Sequence, residues 1–142
     1  SQRNLALRRP ARQSSLSEYS RPNDAAGGVD GVKNGSFGFH TSRENRPWWQ
    51  VDLGSRCAIQ EVRIFNRLDY NPERAATLMV RLSDNGVNWK TVYQHDGTDP
   101  GGGSHPLRVR VANEPGRYVR IELRARDEYL HLDEVEVYGS RQ

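Results

Sequence analysis

Residues 117–124 have the sequence RYVRIELR, in which apolar and charged side chains alternate. Val119, Ile121 and Leu123 stand two residues apart, and successive side chains of an extended strand point to opposite faces. One face of this segment is therefore apolar, and the other, which carries arginine and glutamate, is suited to solvent. The pattern predicts a half-buried β-strand.

The same alternation recurs along the chain. It occupies residues 77–83, 106–111 and 130–138, and apolar residues also fill 48–53 and 58–65. Turn residues separate these segments, and no window has apolar residues at helical spacing. Short strands between Gly- and Pro-containing turns favour an all-β sandwich or barrel, and 142 residues fit a single domain, residues 1–142. A change of phase near residues 133–134 predicts a bulge or kink.

Composition excludes several classes of function. Hydrophobic residues make up 35%, and the net charge of +3 is interleaved with acids along the strands, unlike the clustered charge of nucleic-acid-binding proteins. No run of about 18 apolar residues could span a membrane. Residues 1–7 lack the apolar core of a signal peptide, so we expect a mature chain or a module of a longer protein. The single cysteine, Cys57, allows no internal disulfide and is expected to be buried.

One spaced set of polar residues indicates binding. His40 is followed after 26 residues by Arg67 and Asp69, and then by Arg74. An imidazole, two guanidiniums and a carboxylate can hold a sugar hydroxyl, and none of them is a ready nucleophile. His40 lies in the long aperiodic stretch 8–46, and the others follow a predicted strand, so both parts fall at loop ends, where binding residues collect. The alternative is a surface ion-pair cluster beside a loop histidine.

Several motifs in chain order resemble the discoidin-like domains, the superfamily of the coagulation-factor C domains. The motifs are NLAL at 4–7, Ala11 with QSS at 13–15, VDG at 29–31, PWWQVDLG at 47–54, GRYVR at 116–120 and LDEVEV at 132–137. Within that superfamily, the spacing of His40, Arg67, Asp69 and Arg74 is similar to the signature of the F-type lectins, or fucolectins. The resemblance covers nearly the whole chain and implies an eight-stranded jelly roll.

The resemblance also implies roles for residues. His40, Arg67 and Arg74 would contact L-fucose hydroxyls, and Asp69 would orient the arginines. Tyr19, Phe37, Phe39 and Tyr70 are the candidates for an apolar wall, and Tyr70 is favoured because it follows Asp69. Well-known family members carry two adjacent cysteines where this chain has Tyr70 and Asn71. The disulfide of those members packs on the sugar, and the aromatic ring of Tyr70 would replace that contact here.

A structural calcium ion is a further implication of the resemblance. Asp30 and Glu134 match its side-chain ligands, backbone carbonyls near Gly27, Val32 and Asp133 would complete an oxygen shell, and Ser36 is the candidate serine ligand. Calcium binds six to eight oxygens from such mixed sources. A simple Asp-Gly turn at Asp30 is the alternative.

The sequence therefore predicts a non-catalytic lectin whose partner is a fucosylated or similar glycan. Catalysis would need two carboxylates such as Asp69 and Glu73, and neighbouring arginines would keep both ionised. A discoidin-like adhesion module that binds phospholipid or a protein is the alternative function.

Trp48, Trp49 and Trp89 are expected in the core rather than in a sugar-stacking platform. The lectin resemblance implies an extracellular or cell-surface location, and repetition, as a module or an oligomer, would supply avidity.

Overall fold

The computed structural model describes residues 3–142 and consists almost entirely of antiparallel strands. The strands are β1 (Ala11–Gln13), β2 (Phe39–His40), β3 (Trp48–Phe65), β4 (Leu78–Ser83), β5 (Lys90–Gln94), β6 (Leu107–Leu123), β7 (His131–Leu132) and β8 (Glu134–Arg141). Two short 3-10 helices cover Asp24–Gly28 and Pro72–Ala75. Within the described residues, neither is long or apolar enough to cross a bilayer. The all-β prediction is confirmed.

Two long strands, β3 and β6, pair along most of their length and hold the fold together. The first half of β3 pairs with β1 and with the end of β6, whereas its second half pairs with β8 and with the start of β6. Register shifts between Asp52 and Cys57 and between Ile59 and Glu61 separate the halves. Strands β4 and β5 extend the sheet beyond β6, and β2 and β7 form a separate two-stranded sheet.

The core is a single cluster built from alternate residues of these strands. Val119, Ile121 and Leu123 are fully buried on β6, and Leu78 and Val80 are fully buried on β4, as the alternation predicts. Buried residues from both halves of β3 belong to the same cluster. The two halves of the bent sheet therefore enclose one core between them. Cys57 is buried there as a free thiol.

The tryptophans divide between core and surface. Trp49 is fully buried, donates its indole N–H to the Ala25 carbonyl at 2.9 Å and stacks on Phe39. Trp48 and Trp89 are only half-buried, and the guanidinium of Arg120 lies between them, at 4.0 and 4.2 Å from their rings. The expectation of a core position is thus right for Trp49 and wrong for the other two.

The predicted change of phase near residues 133–134 is a break between two strands. Strand β7 ends at Leu132 and β8 begins at Glu134, and the Asp133 N–H donates to the Phe65 carbonyl at 2.8 Å. This bond joins the break to the end of β3. The break consequently separates β7, which pairs with β2, from β8, which pairs with β3.

Candidate functional site

A histidine pair lies where β2 and β7 face each other. The antiparallel register sets His40 opposite His131 and Phe39 opposite Leu132. Because side chains alternate across a strand, the second pair enters the core, where both residues are fully buried. The two histidines point to the other face, and their ring centroids lie 4.9 Å apart. Directly opposed residues of antiparallel strands are close enough for such contact.

The surroundings of His40 fix its tautomer. Its Nδ1 lies 2.8 Å from the Thr41 carbonyl oxygen, which can only accept a hydrogen bond. We therefore assign the proton to Nδ1 and leave Nε2 as a bare acceptor. Burial lowers the pKa of His40, and the charges of Arg67 and Arg74 lower it further. His40 is thus neutral at pH 7.

Arg67 is held in place by a two-point ion pair. Its Nε donates to Asp69 Oδ1 at 2.8 Å and its Nη2 to Asp69 Oδ2 at 3.3 Å. This hydrogen bonding lowers the pKa of Asp69. The Arg67 guanidinium lies 5.0 Å from the Phe37 ring centre, and its backbone N–H donates to the buried Asn66 side chain. Asn66 also donates to the Pro72 carbonyl, so it ties the end of β3 to the following loop.

Arg74 has a different carboxylate. It sits in the last turn of the second 3-10 helix, and its Nε lies 3.6 Å from Glu128 Oε1. Its guanidinium is 4.8 Å from the Tyr129 ring centre. The expectation that Asp69 orients both arginines is therefore corrected, since among the ion pairs of residues 3–142 Asp69 pairs with Arg67 and Glu128 pairs with Arg74.

These groups surround one cavity of about 470 Å³, which we call the His40 cavity. The residues that line it are Tyr19, Phe37, His40, Arg43, Arg67, Tyr70, Asn71, Arg74 and Tyr129. Two predicted wall residues, Tyr19 and Tyr70, are 52% and 68% exposed at its rim. Phe39 is corrected: it is fully buried against Trp49, because it occupies the core side of β2.

Several residues of the site were not found from the sequence, and two of them contact the His40 ring. Tyr129 lies in the cavity wall 5.2 Å from the His40 ring, and His131 lies beside His40. His131 is 1% exposed, and neither of its ring nitrogens has a hydrogen-bond partner within residues 3–142. Burial, aided by the positive charge of Arg67, lowers its pKa to about 3. The sequence signal that could have indicated them is their position: Tyr129 and His131 are aromatic residues on either side of Leu130, just before the change of phase at residues 133–134.

The predicted calcium ligands are brought together in part. Glu134 is fully buried; its Oε2 accepts the Gly31 N–H at 2.7 Å, and its Oε1 has no partner among the described residues. Burial, together with the negative charge of Asp30, raises the pKa of Glu134 to about 9. The carbonyl oxygens of Gly27 and Asp133 converge beside Gly38, where a β-carbon would lie 2.2 and 2.4 Å from them.

Two other predicted calcium ligands, Val32 and Ser36, take part in turns of the same loop. The Val32 N–H donates to Asp30 Oδ1, and the Ser36 N–H donates to Asn34 Oδ1. Within residues 3–142, no three His, Cys, Asp or Glu side chains are grouped as a metal site. A cation beside Glu134 would therefore take most of its ligands from backbone oxygens, which hard cations accept.

Comparison with known proteins places the chain in a family. Residues 27–121 match the model of the NedA-like, galactose-binding domain of the F5/F8 type C group. A fucolectin of Anguilla anguilla is 34% identical over an alignment of 146 positions, which covers 96% of this chain and 90% of that protein. The chain is an F-type lectin. Its discoidin-like fold and its carbohydrate-binding character follow from this membership.

Solved structures agree with this assignment. An F-lectin from striped bass (Morone saxatilis) serum superposes with a TM-score of 0.88 at 31% identity, covering 99% of this F-type lectin and 50% of that chain. The lectin domain of lectinolysin, complexed with Lewis B antigen, has a TM-score of 0.80 at 31% identity and 97% coverage of both chains. The chain spans only 24% of another relative, a pentraxin fusion protein of Xenopus laevis.

The buried His131 predicts acid sensitivity of the fold. Its pKa is about 3 in the folded protein and about 6.5 when exposed, so unfolding takes up a proton below pH 6.5. The folded state is therefore not destabilised through His131 above pH 6.5, and it loses stability through this group as the pH falls from 6.5 toward 3. Through this group, the free energy of unfolding should be about 2 kcal/mol lower at pH 5 than at pH 8.

Urea unfolding of the wild type and of His131→Leu across this pH range measures the effect. The variant should show a shallower loss of stability on acidification, because its side chain cannot take up a proton. His105→Gln removes an exposed histidine and should leave the wild-type slope unchanged. Equal slopes in all three proteins would contradict the assignment.

Proposed function

We propose that the His40 cavity binds terminal L-fucose, or a sugar with the same arrangement of hydroxyls, without catalysing a reaction. The observation that carries this proposal is the meeting of a neutral imidazole acceptor and two guanidinium donors in one cavity. A sugar hydroxyl is at once a donor and an acceptor. Nε2 of His40 would accept a hydrogen bond from a sugar hydroxyl, while Arg67 and Arg74 would donate to hydroxyl oxygens.

The electrostatics of the cavity suit a neutral ligand. Each of the three arginines that line the cavity has a carboxylate, so little net charge remains to attract an anion. The pairs are Arg67 with Asp69, Arg74 with Glu128 and Arg43 with Asp127. The guanidinium forks nevertheless keep free N–H groups with fixed directions. Such donors recognise the position of a hydroxyl, which distinguishes one sugar stereoisomer from another.

Aromatic side chains supply the apolar part of the proposed site. Tyr19, Phe37 and Tyr129 have ring centres 5.0–5.2 Å from the centre of His40. Aromatic faces pack well against the C–H groups of a sugar ring, and a C6 methyl group would add apolar contact. Tyr70 lies at the rim, where two adjacent cysteines stand in well-known family members, and it offers a ring in their place.

The relatives support the same ligand class. One similar structure is a fucose-binding module of Streptococcus pneumoniae, and the lectinolysin domain was solved with Lewis B antigen. Because the striped-bass lectin is from serum, we extend the proposal to an extracellular location. A single shallow site predicts weak binding of free monosaccharide, so strong attachment to a glycan surface would need several copies.

We also propose a structural calcium ion beside Glu134. The unpartnered, fully buried Oε1 and the converging carbonyls of Gly27 and Asp133 support it. Asp30 is the neighbouring second carboxylate. A cation held there would join the loop after the first 3-10 helix to the start of β8 and would stabilise the ionised form of Glu134 in its buried place.

Removal of either arginine should weaken fucose binding. A hydrogen bond to a charged group contributes about 1.5–3 kcal/mol, so Arg67→Ala and Arg74→Ala should each raise the Kd at least about tenfold. Isothermal titration with fucose measures this change, and thermal melting checks the fold. Arg126→Ala removes an exposed arginine outside the cavity and should bind like the wild type. Wild-type affinity in a folded Arg67→Ala or Arg74→Ala protein would refute the site.

Binding should depend on pH through His40. Its pKa lies below the ordinary 6.5, so Nε2 is free to accept above pH 6.5 and becomes protonated only at lower pH. Fucose affinity should therefore be constant from pH 6.5 to 8 and should fall as the pH drops further. Titrations between pH 4.5 and 8 test this expectation. Undiminished binding in folded protein over a pH range in which NMR shows the His40 ring becoming protonated would rule out a neutral acceptor role.

Calcium should raise the melting temperature. Saturation at about 100 times the Kd stabilises a protein by about 2.7 kcal/mol, which corresponds to about 5–10 °C here. The shift should disappear with a chelator and in Glu134→Gln, whose neutral side chain should keep the metal-free protein at least as stable as the wild type. Asp99→Asn, an exposed acid, is the control and should keep the shift. No calcium-dependent shift in the wild type would exclude this ion.

A further inference from the structure

A second cavity of about 800 Å³ lies at the bend of β3, and we call it the arginine cavity. Three guanidinium side chains line it, those of Arg3, Arg9 and Arg141. Cys57 lies at the bend, and Phe65 ends β3 next to the His40 cavity. The extended strand from Cys57 to Phe65 advances by eight residues, at about 3.3 Å per residue, so the two cavities lie about 25 Å apart. The arginine cavity is therefore a distinct surface of the molecule.

Two of the guanidiniums are held by the backbone of the bend. Arg9 Nε donates to the Asp52 carbonyl at 3.2 Å, and Arg141 Nη1 donates to the Leu53 carbonyl at 2.7 Å. Gly54 allows this arrangement: its φ is +88°, and a β-carbon there would lie 2.0 Å from Arg9 Nη2. Arg141 Nη1 also donates to Ser55 Oγ at 3.0 Å. All of these acceptors are neutral, so they position the arginines without neutralising them.

No carboxylate forms a direct ion pair with these guanidiniums within residues 3–142. Within residues 3–142, none of the three arginines forms an ion pair within 4.0 Å, and none of the residues that line the cavity is acidic. The nearby Asp52 is occupied by Arg117, in a two-point pair at 2.8 and 3.0 Å. The contrast with the His40 cavity is clear, because each arginine there has its own acid.

The rest of the lining adds donors and an apolar strip. Asn4 Oδ1 accepts the backbone N–H groups of Ala6 and Val137 at 3.1 and 3.0 Å, which leaves the NH₂ end of its amide as a donor. Leu5 and Leu7 also line the cavity, and Leu7 is 40% exposed. Clustered cationic donors select an oxyanion, and the leucines can cover the C–H face of a sugar ring.

The geometry points to a second ligand site in the arginine cavity, for a saccharide that carries sulfate or carboxylate groups. An inorganic anion would fill little of a cavity of this size, whereas a ring with an acidic substituent would use both the guanidiniums and the leucines. The site is independent of fucose binding. A glycan with an acidic group at one end and a suitable terminal sugar at the other could then contact the protein at two places.

Titration with sulfated dextran oligosaccharide, oligogalacturonate and neutral dextran oligosaccharide at one fixed ionic strength tests the inference. At least one of the two acidic probes should bind, and the neutral one should not. Arg9→Gln and Arg141→Gln should each raise the Kd of that probe about fivefold or more. Arg126→Gln removes an equal charge outside both cavities and should leave the Kd unchanged. Backbone amide NMR shifts should move at Leu5, Gly139 and Ser140.

Four results would overturn the inference. The first two are a lack of binding by both acidic probes, and binding of the neutral probe with the same affinity as an acidic one. The third is a loss of affinity in Arg126→Gln as large as in Arg9→Gln or Arg141→Gln, which would reveal unspecific attraction. The fourth is binding of inorganic sulfate as tight as that of the sulfated saccharide. Melting curves confirm that each variant is folded. Fucose is absent from all of these titrations. A lack of binding by the acidic saccharides would therefore not count against fucose binding in the His40 cavity, and a lack of fucose binding would not count against the site in the arginine cavity.

Discussion

The antiparallel pairing of β2 with β7 is the constraint on which the site depends. Each strand has only two residues, yet their register sends Phe39 and Leu132 into the core and leaves His40 and His131 on the opposite face. A shift of one residue would exchange the two pairs and bury the wrong side chains. The stacking of Phe39 on Trp49 thus fixes the position of the neighbouring imidazole, so core packing and ligand contact are set by one short sheet.

Charge balance distinguishes the two cavities. Two guanidiniums about 4 Å apart repel by about 4 kcal/mol at an effective dielectric near 20, so a site that gathers arginines needs acids or a ligand to offset the repulsion. In the His40 cavity, Asp69 and Glu128 supply that balance, which suits a neutral sugar. In the arginine cavity, the groups that accept hydrogen bonds from Arg9 and Arg141 are neutral. The same residue type therefore serves two different ligand chemistries.

Most of the fold could be predicted from the sequence, because alternation reports directly which face of a strand is buried. The segments at 77–83 and 117–124 are strands with the expected buried faces. The continuity of β3 and β6 could not be predicted. Gly54 and Pro115-Gly116 indicate turns locally, but both strands continue through these positions. Pro115 and Gly116 pair with Ala58 and Cys57, so long-range pairing outweighed local turn chemistry there, whereas the pairing of β3 with β6 is interrupted around Gly54.

The sequence by itself determined the strand pattern, the family and the set of His40, Arg67, Asp69 and Arg74, since residue types at fixed spacing need no coordinates. Only the tertiary structure decided which partners these residues have. Glu128, Tyr129 and His131 join the site from a segment more than fifty residues further along the chain, and Phe39 leaves it for the core. Contacts between distant segments depend on strand register, and a one-dimensional pattern carries no information about which strands will pair.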